Sequence, residues 1–361
     1  MKVLYVYDEM PKSYQTYMAN TLTGLKKVID VTAFAFKPNP KADAYPQNSI
    51  IQKLKRKIIS RGEYEALARQ WATNYNIIHL QHSYLFGKFP FFLDPKQIKD
   101  NKRTNIVITF RGGDTYVKPW IYERWKTFFE SWSHQVTRFV TVSHHQKEYL
   151  ASHWGIPLEK IEVIPVSVAD HGYAKVKRPN KGIIKIASAH RMTWEKNIDA
   201  HLRTISILKQ MGHNVQYDVY GDGPDLGALY YLVDKYQLSD TVNHQKKVPN
   251  QILLEKLPTY DFFLQLSLSE SLGAAVLEAQ SCGVPAIVSN AGGLPETIVK
   301  NESGLCVDPW DVEAAAKGIH NLFTHPETYE AFSQKAIAHI SDRYTIKKEI
   351  ERLIALYQKI L

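Results

Sequence analysis

The sequence predicts two α/β domains in succession, each a parallel sheet wound on both faces by helices. Three observations predict it. Short, nearly continuous apolar runs recur along all 361 residues and are spaced by stretches long enough for crossover helices. That pattern starts again after a polar stretch, Lys175–Lys181. At 44% hydrophobic and 22% charged, the chain is in the globular range and long enough for two cores.

In the first half, Lys2–Tyr7, Val31–Phe36, Ile77–Leu80, Asn105–Phe110 and Arg138–Val142 read as strands. Gln15–Lys27 and Trp120–Ser133 read as two of the helices between them. In the second half, Ile183–Ser188, Gln216–Tyr220, Thr241–Asn243, Phe262–Leu266, Ala286–Ser289 and Gly304–Val307 read as strands. The helices between them are Ile198–Met211, Leu226–Tyr236, Gln251–Leu257, Gly273–Cys282, Leu294–Val299 and Val312–His320. The expected division is residues 1–170, residues 171–340 and a last amphipathic helix within 341–361. That helix is expected near the interdomain region, where it can cross back to the first domain.

Charge is unevenly spread. Residues 1–180 carry 27 Lys and Arg against 15 Asp and Glu, a net +12; residues 181–361 carry 18 against 21, a net −3. A basic first half calls for an anionic partner: a phospholipid surface, a nucleic acid or an anionic small molecule. Two cysteines, Cys282 and Cys306, make no disulfide framework and suit a reducing compartment. No apolar run reaches the roughly 18 residues of a membrane-spanning helix. The expectation is a cytoplasmic protein.

In doubly wound sheets, ligands bind in the loops beyond the carboxyl ends of the strands. The densest signal is there, in E-S-L-G-A-A-V-L-E, residues 270–278, after the strand ending at Leu266. Two glutamates eight apart on one helix would be about 80° out of phase. With Glu270 in the loop and Glu278 inside the helix, both can face one ligand. The N–H groups of Leu272, Gly273 and Ala274 cap the helix start, and donors with a helix dipole suit a phosphate. The plainer alternative is a helix with an exposed glutamate. S-A-H-R-M-T-W-E-K-N, residues 188–197, adds Arg191 and Lys196, which together can clamp a diphosphate. G-D-G-P begins at Gly221 and allows a tight turn or close ligand approach, and Lys247-Val248-Pro249 follows another strand. Together these loops describe a nucleotide-diphosphate site.

This half closely resembles the donor domain of the retaining glycosyltransferases of family 4, whose GT-B architecture sets two Rossmann-like domains face to face. The R-M-T-W-E-K-N, G-D-G-P and Glu270…Glu278 pieces stand in family order, followed by A-Q-S-C-G-V-P-A-I-V-S, N-A-G-G-L-P-E-T-I-V and G-L-C-V-D-P-W-D. The resemblance implies that Arg191 and Lys196 hold a donor diphosphate. Glu270 and the Ser271–Ala274 amides line the sugar and phosphates, Glu278 bonds the ribose hydroxyls, and Val248 packs on the base. No resident cofactor or metal is implied, because the nucleotide sugar is a substrate. Asp222 and Asp225 suggest a metal pair, but a glycine turn explains them.

The first half matches more loosely. I-I-H-L-Q-H, residues 77–82, resembles the family's strand ending in histidine. T-F-R-G-G-D, residues 109–114, has Arg111 where relatives commonly carry histidine near the reacting sugar. The resemblance implies front-face attack, with the acceptor proton passing to the departing phosphate; no carboxylate has a family role as nucleophile. Asp114 and His82 are the candidates for positioning the acceptor or helping its proton, beside a purely structural reading of both.

Ser49–Ala68 reads as a basic amphipathic helix, with Ile50, Ile51, Leu54, Ile58 and Ile59 opposite Lys53, Lys55, Arg56, Lys57 and Arg61. It either packs its stripe on the sheet or lies on an anionic membrane at the inner face of the cell membrane. The expected partners are a nucleotide sugar (UDP- or GDP-linked) and a glycan or lipid-linked acceptor in surface polysaccharide or glycolipid synthesis. The alternatives are a nucleotide-sugar epimerase of GT-B architecture and a basic nucleic-acid-binding protein. No recognised nucleic-acid-binding signature accompanies the charge.

Overall fold

The computed structural model describes residues 1–13, 15–37, 39–44, 70–71, 73–88 and 104–361. The basic amphipathic segment expected at 49–68 lies outside the described residues. The chain forms two units. The first contains Met1–Lys12, Met18–Pro165 and Glu349–Leu361; the second contains Ser13–Tyr17 and Val166–Lys348. Among the described residues no helix is long and apolar enough to cross a membrane.

The first unit holds six parallel strands: β1 Lys2–Tyr7, β2 Asp30–Ala35, β3 Ile77–Leu80, β4 Asn105–Thr109, β5 Arg138–Thr141 and β6 Ile161–Val163. Their order is β2-β1-β3-β4-β5-β6, so the winding reverses between β1 and β3. One face buries Leu4, Val6, Ile78 and Ile108 against Phe86, Trp125 and Phe128. The other face carries a buried polar chain. Tyr357, from the C-terminal helix Ile346–Ile360, shares its hydroxyl with Tyr5 Oη at 2.8 Å and with His79 Nδ1 at 2.6 Å. His79 Nε2 lies 2.7 Å from Thr109 Oγ1. Burial, aided by the Arg111 charge, pushes the His79 pKa down to about 3, so the ring stays neutral. The last helix thus returns to the first sheet through hydrogen bonds that only an apolar surround makes strong.

The second unit holds β7 Ile184–Ala189, β8 Val215–Tyr220, β9 Val242–His244, β10 Phe262–Gln265, β11 Ala286–Ser289 and β12 Gly304–Val307. All pairings are parallel and the order is β12-β11-β10-β7-β8-β9. From β7 the chain moves outward to β8, and from β10 it moves the other way to β11. The reversal therefore falls between β7 and β10, and a crevice for a ligand opens beyond their carboxyl ends. Helices Ile198–Gln210 and Val312–Thr324 supply one core; Asn250–Lys256 and Ala274–Ser281 supply the other.

The structure matches the two-sheet expectation and corrects some elements. Trp120–Ser133 is not one helix. Tyr122 is extended (φ −116°, ψ 116°) and splits off Lys118–Ile121; the helix that resumes at Glu123 passes at Phe128 into a π-helical turn ending at Trp132, with Trp125, Phe128 and Phe129 turned inward. Leu294–Val299 contracts to a 3-10 turn over Leu294–Thr297, set by Pro295. The three-residue strand β6 and helices His144–Trp154 and Pro326–Arg343 were not among the expected elements.

Candidate functional site

The loops that follow β7 and β10 meet at the winding reversal of the second unit. Lys196 closes the 3-10 turn Trp194–Lys196, and its ammonium donates to Glu270 Oε2 in the β10 loop. Both side chains are mostly buried, so the pair is screened little by water. Leu268 N–H donates to Glu195 O at 2.8 Å, tying the two loops by backbone. Ser271 N–H donates to Glu270 Oε1 at 3.2 Å. From the far side, Gly293 N–H donates to Glu270 O at 2.9 Å. Arg191 is exposed and reaches Glu195 Oε1 at 3.4 Å, a surface contact of small worth that an anionic ligand can replace.

The helix Ala274–Ser281 begins at Gly273, whose φ of +99° is a left-handed conformation suited to glycine. The N–H groups of Leu272, Gly273 and Ala274 make no hydrogen bond with described residues. They are the orphan donors of a helix start, at its positive end. Glu278 sits just past the first turn. Its Oε1 accepts from Asn250 Nδ2 at 2.8 Å, and Asn250 opens the next helix over. Burial pushes the Glu278 pKa up to about 7, and the Asn250 hydrogen bond restrains that rise. Val248 is half-buried against the cluster that includes Tyr220 and Leu253. Gly221 (φ +136°) passes directly over the β7 loop, and a Cβ there would lie 1.8 Å from His190 O. Asp222 Oδ1 accepts from Gly223 N–H at 2.7 Å, as a turn aspartate does.

A buried relay fixes the end of β10. His201 Nε2 accepts from Leu266 N–H at 2.7 Å, so its Nδ1 carries the proton and donates to Tyr217 Oη at 3.1 Å. Tyr217 donates to Ser188 Oγ at 2.7 Å, and Ser188 donates to Leu264 O at 2.6 Å. Burial holds the His201 pKa well below its ordinary value, which keeps Nε2 an acceptor. The relay joins β7, β8 and β10 with every donor and acceptor in it used, so the loops carrying Lys196 and Glu270 start from a rigid base.

In the first unit, Asp114 is held by three donors. Oδ1 accepts from Arg111 N–H at 2.9 Å and Gly112 N–H at 2.8 Å, and Oδ2 accepts from Ser83 Oγ at 2.5 Å. Arg111 is anchored by Nε to Gln81 O and by its terminal nitrogen to Gln81 Oε1, both at 3.0 Å. His82 stacks on Tyr84 with ring centroids 5.0 Å apart. Burial first, then Arg111 and Lys118, push its pKa down to about 3, so it is a neutral ring. The second unit thus gathers Arg191, Lys196, Glu270 to Ala274, Glu278, Val248 and Gly221 near the ends of neighbouring strands. His82 lies in the loop after β3, and Asp114 in the short helix Gly113–Tyr116 that follows β4 of the first unit. Asn250, Glu195 and His201 were not singled out from the sequence. Asn250 had one weak signal, its place after Pro249 at a helix start.

The Glu278 shift has a measurable consequence. Because its pKa lies above the ordinary 4.5, the folded chain keeps a proton between pH 4.5 and about 7 that the unfolded chain releases. This group's contribution to stability therefore falls as pH rises through that window. A ligand whose hydroxyls donate to the carboxylate binds tighter over the same range. Affinity for such a ligand is expected to rise by up to about tenfold per pH unit towards pH 7 and then level off. The profile should be flat in Glu278→Gln. Calorimetry across pH checks it, and a flat wild-type profile would refute it.

Comparison with known proteins gives two family matches. Residues 173–339 match the model of glycosyl transferases group 1, and residues 15–170 match that of glycosyltransferase family 4. A subunit of the phosphatidylinositol N-acetylglucosaminyltransferase of Arabidopsis thaliana is 30% identical over 268 residues, which is 73% of this chain and 53% of that protein. A D-inositol 3-phosphate glycosyltransferase of Paenarthrobacter aurescens is 26% identical over 214 residues, 56% of this chain and 52% of its own. The chain spans about half the length of these two relatives. Among solved structures, a glycosyltransferase from Rickettsia africae superposes with a TM-score of 0.75 at 17% identity, covering 99% of this chain and 98% of its own. Anabaena HepE, solved with UDP and glucose, gives 0.76 at 13% identity, covering 99% and 100%. These likenesses establish the GT-B fold.

Proposed function

Since the chain belongs to glycosyltransferase family 4, we propose that it transfers a sugar from a nucleotide-diphosphate sugar to a glycan or lipid-linked acceptor, with retention at the anomeric carbon. The observation that carries this reading is the Lys196–Glu270 pair at the winding reversal, beside the open amides of Leu272, Gly273 and Ala274. Leaving-group charge is the main obstacle in such a transfer. A donor diphosphate set on those amides meets Lys196 and Arg191 as counter-charges, and Arg191 exchanges its weak contact with Glu195 for the phosphate. Glu270, released from full pairing with Lys196, turns an oxygen to the sugar hydroxyls. Glu278 receives the ribose hydroxyls as a carboxylate, and Val248 packs on the base.

In the first unit the reading gives Asp114 an indirect part in acceptor placement, because its oxygens already hold Ser83 and the Arg111–Gly112 backbone. His82, a neutral ring without a side-chain hydrogen bond among the described residues, is the group that accepts from an acceptor hydroxyl other than the attacking one, and so orients the acceptor. The acceptor's proton goes to the departing phosphate. No metal enters the scheme. The product is a surface polysaccharide or glycolipid built on the cytoplasmic side of a membrane.

The test is protection against thermal unfolding by a panel of nucleoside diphosphates and nucleotide sugars. One base is expected to raise Tm selectively, with its nucleotide sugar then hydrolysed or transferred. A panel in which nothing shifts the transition would remove the donor reading.

A further inference from the structure

We propose that the corner Lys118–Lys126 of the first unit is a membrane-docking surface that seats Trp120, Ile121 and Tyr122 among the headgroups of an anionic bilayer. These three consecutive side chains are 63%, 63% and 49% exposed. On a continuous helix, successive residues point about 100° apart and one of three would face the core. Here a short helix, Lys118–Ile121, ends at the extended residue Tyr122 before a second one, Glu123–Thr127. The first helix is a single turn and the chain leaves it extended at Tyr122, and all three side chains keep about half or more of their surface in solvent. Behind them Pro119 is buried and Trp125 and Phe128 are fully buried, so the corner stands on packed core.

The exposed rings are held in place. Trp120 donates its Nε1–H to Tyr149 Oη at 3.0 Å and leans on Trp154 with centroids 4.8 Å apart. The indole donor is therefore already satisfied, and moving the ring out of water strands no polar group. Arg124 lies over the Tyr122 ring at 5.4 Å, Lys118 lies over the Tyr84 ring at 5.1 Å, and Lys126 is exposed. Glu123 is the acid among them.

Charge complementarity selects the occupant. A rim of cations around Trp, Ile and Tyr is the composition of a membrane interface: amphipathic rings at headgroup depth and snorkelling cations against lipid phosphates. Ile121 offers no hydrogen bond and no flat face to a sugar. The net charge of +12 over residues 1–180 favours an anionic sheet of lipid over a neutral surface. The corner lies elsewhere in the sequence than the basic segment 49–68, and it does not depend on the donor reading, since lipid binding is measured without nucleotide.

The experiment is flotation of the full chain with vesicles of phosphatidylcholine alone and of phosphatidylcholine mixed with phosphatidylglycerol. Binding is expected on the anionic vesicles, weakening with salt and falling about tenfold or more in the double variant Trp120→Ser, Ile121→Ser. Leu158→Ser, which removes a side chain 50% exposed elsewhere in the unit, should bind as wild type. Brominated lipid should quench part of the tryptophan fluorescence, and Trp120→Phe should abolish that part while retaining binding, a readout that survives if the double variant folds poorly. Three outcomes overturn the proposal: no wild-type binding to anionic vesicles, a double variant that binds like wild type, or loss of binding that follows solely from neutralising Lys53, Lys55, Arg56 and Lys57. Quenching by soluble oligosaccharide with no vesicle binding would assign the corner to glycan and equally overturn it.

Discussion

Lys196→Ala is expected to weaken nucleoside-diphosphate binding by a hundredfold or more and to stop sugar transfer. Two terms act together. The ammonium is a counter-charge in a mostly buried crevice, where an ion pair with phosphate is far stronger than at the surface. Its removal also leaves the Glu270 carboxylate buried without its partner, and losing one member of such a pair costs about 2–5 kcal/mol. The second term would lower stability even if Lys196 never met a ligand. The double variant Lys196→Ala, Glu270→Gln separates them, because glutamine leaves no unpaired charge. Tm should recover in the double variant and diphosphate binding should not. If both recover, Lys196 only balances Glu270, and the diphosphate is held elsewhere. Lys196→Arg should rescue poorly, since a planar fork places its charge and donors differently from a compact ammonium.

The sequence displayed the strands of both sheets clearly because they are buried on both faces. Lys2–Tyr7 and Ala286–Ser289 match the observed bounds residue for residue, since no alternation with polar residues blurs such runs. It was less informative where tertiary contacts decide. Strand β6 is three residues with Glu162 in the middle, an edge that exists because β5 lies beside it. The break at Tyr122 has no local signal, as Tyr, Trp and Ile are ordinary in helices and the turn is dictated by where Trp125 and Phe128 bury. The site divides likewise. Glu270 and Glu278 stood out because two carboxylates flanking a helix start just after a strand form a pattern whose spacing is local. Asn250 was hidden because its meaning is the 2.8 Å contact with Glu278, 28 residues away. Gly292 was visible as one letter of a resemblance, with no role attached.

That role leads to the second large effect. Gly292→Ala is expected to destabilise the chain by about 2–4 kcal/mol and to reduce donor binding in the fraction that still folds. The glycine has φ +59°, and a Cβ placed on it would lie 1.9 Å from Glu270 O and 3.0 Å from its carbonyl carbon. Those atoms are backbone, so no rotamer change relieves the contact. The neighbouring Gly293 N–H donates to the same oxygen at 2.9 Å, so pushing the loop away breaks the bond that sets the Glu270 backbone. Displacement is therefore delivered to the residue paired with Lys196. Gly172→Ala is the control: its φ is +71°, yet nothing lies within 4 Å of its Cβ. It should lose only the backbone strain, about 1 kcal/mol, and keep full thermal protection by the donor. Urea unfolding of both variants, with and without nucleoside diphosphate, makes the comparison. Equal losses in the two would mean that the Gly292 loop yields freely, and that Glu270 owes its position to Lys196 rather than to the backbone packed behind it.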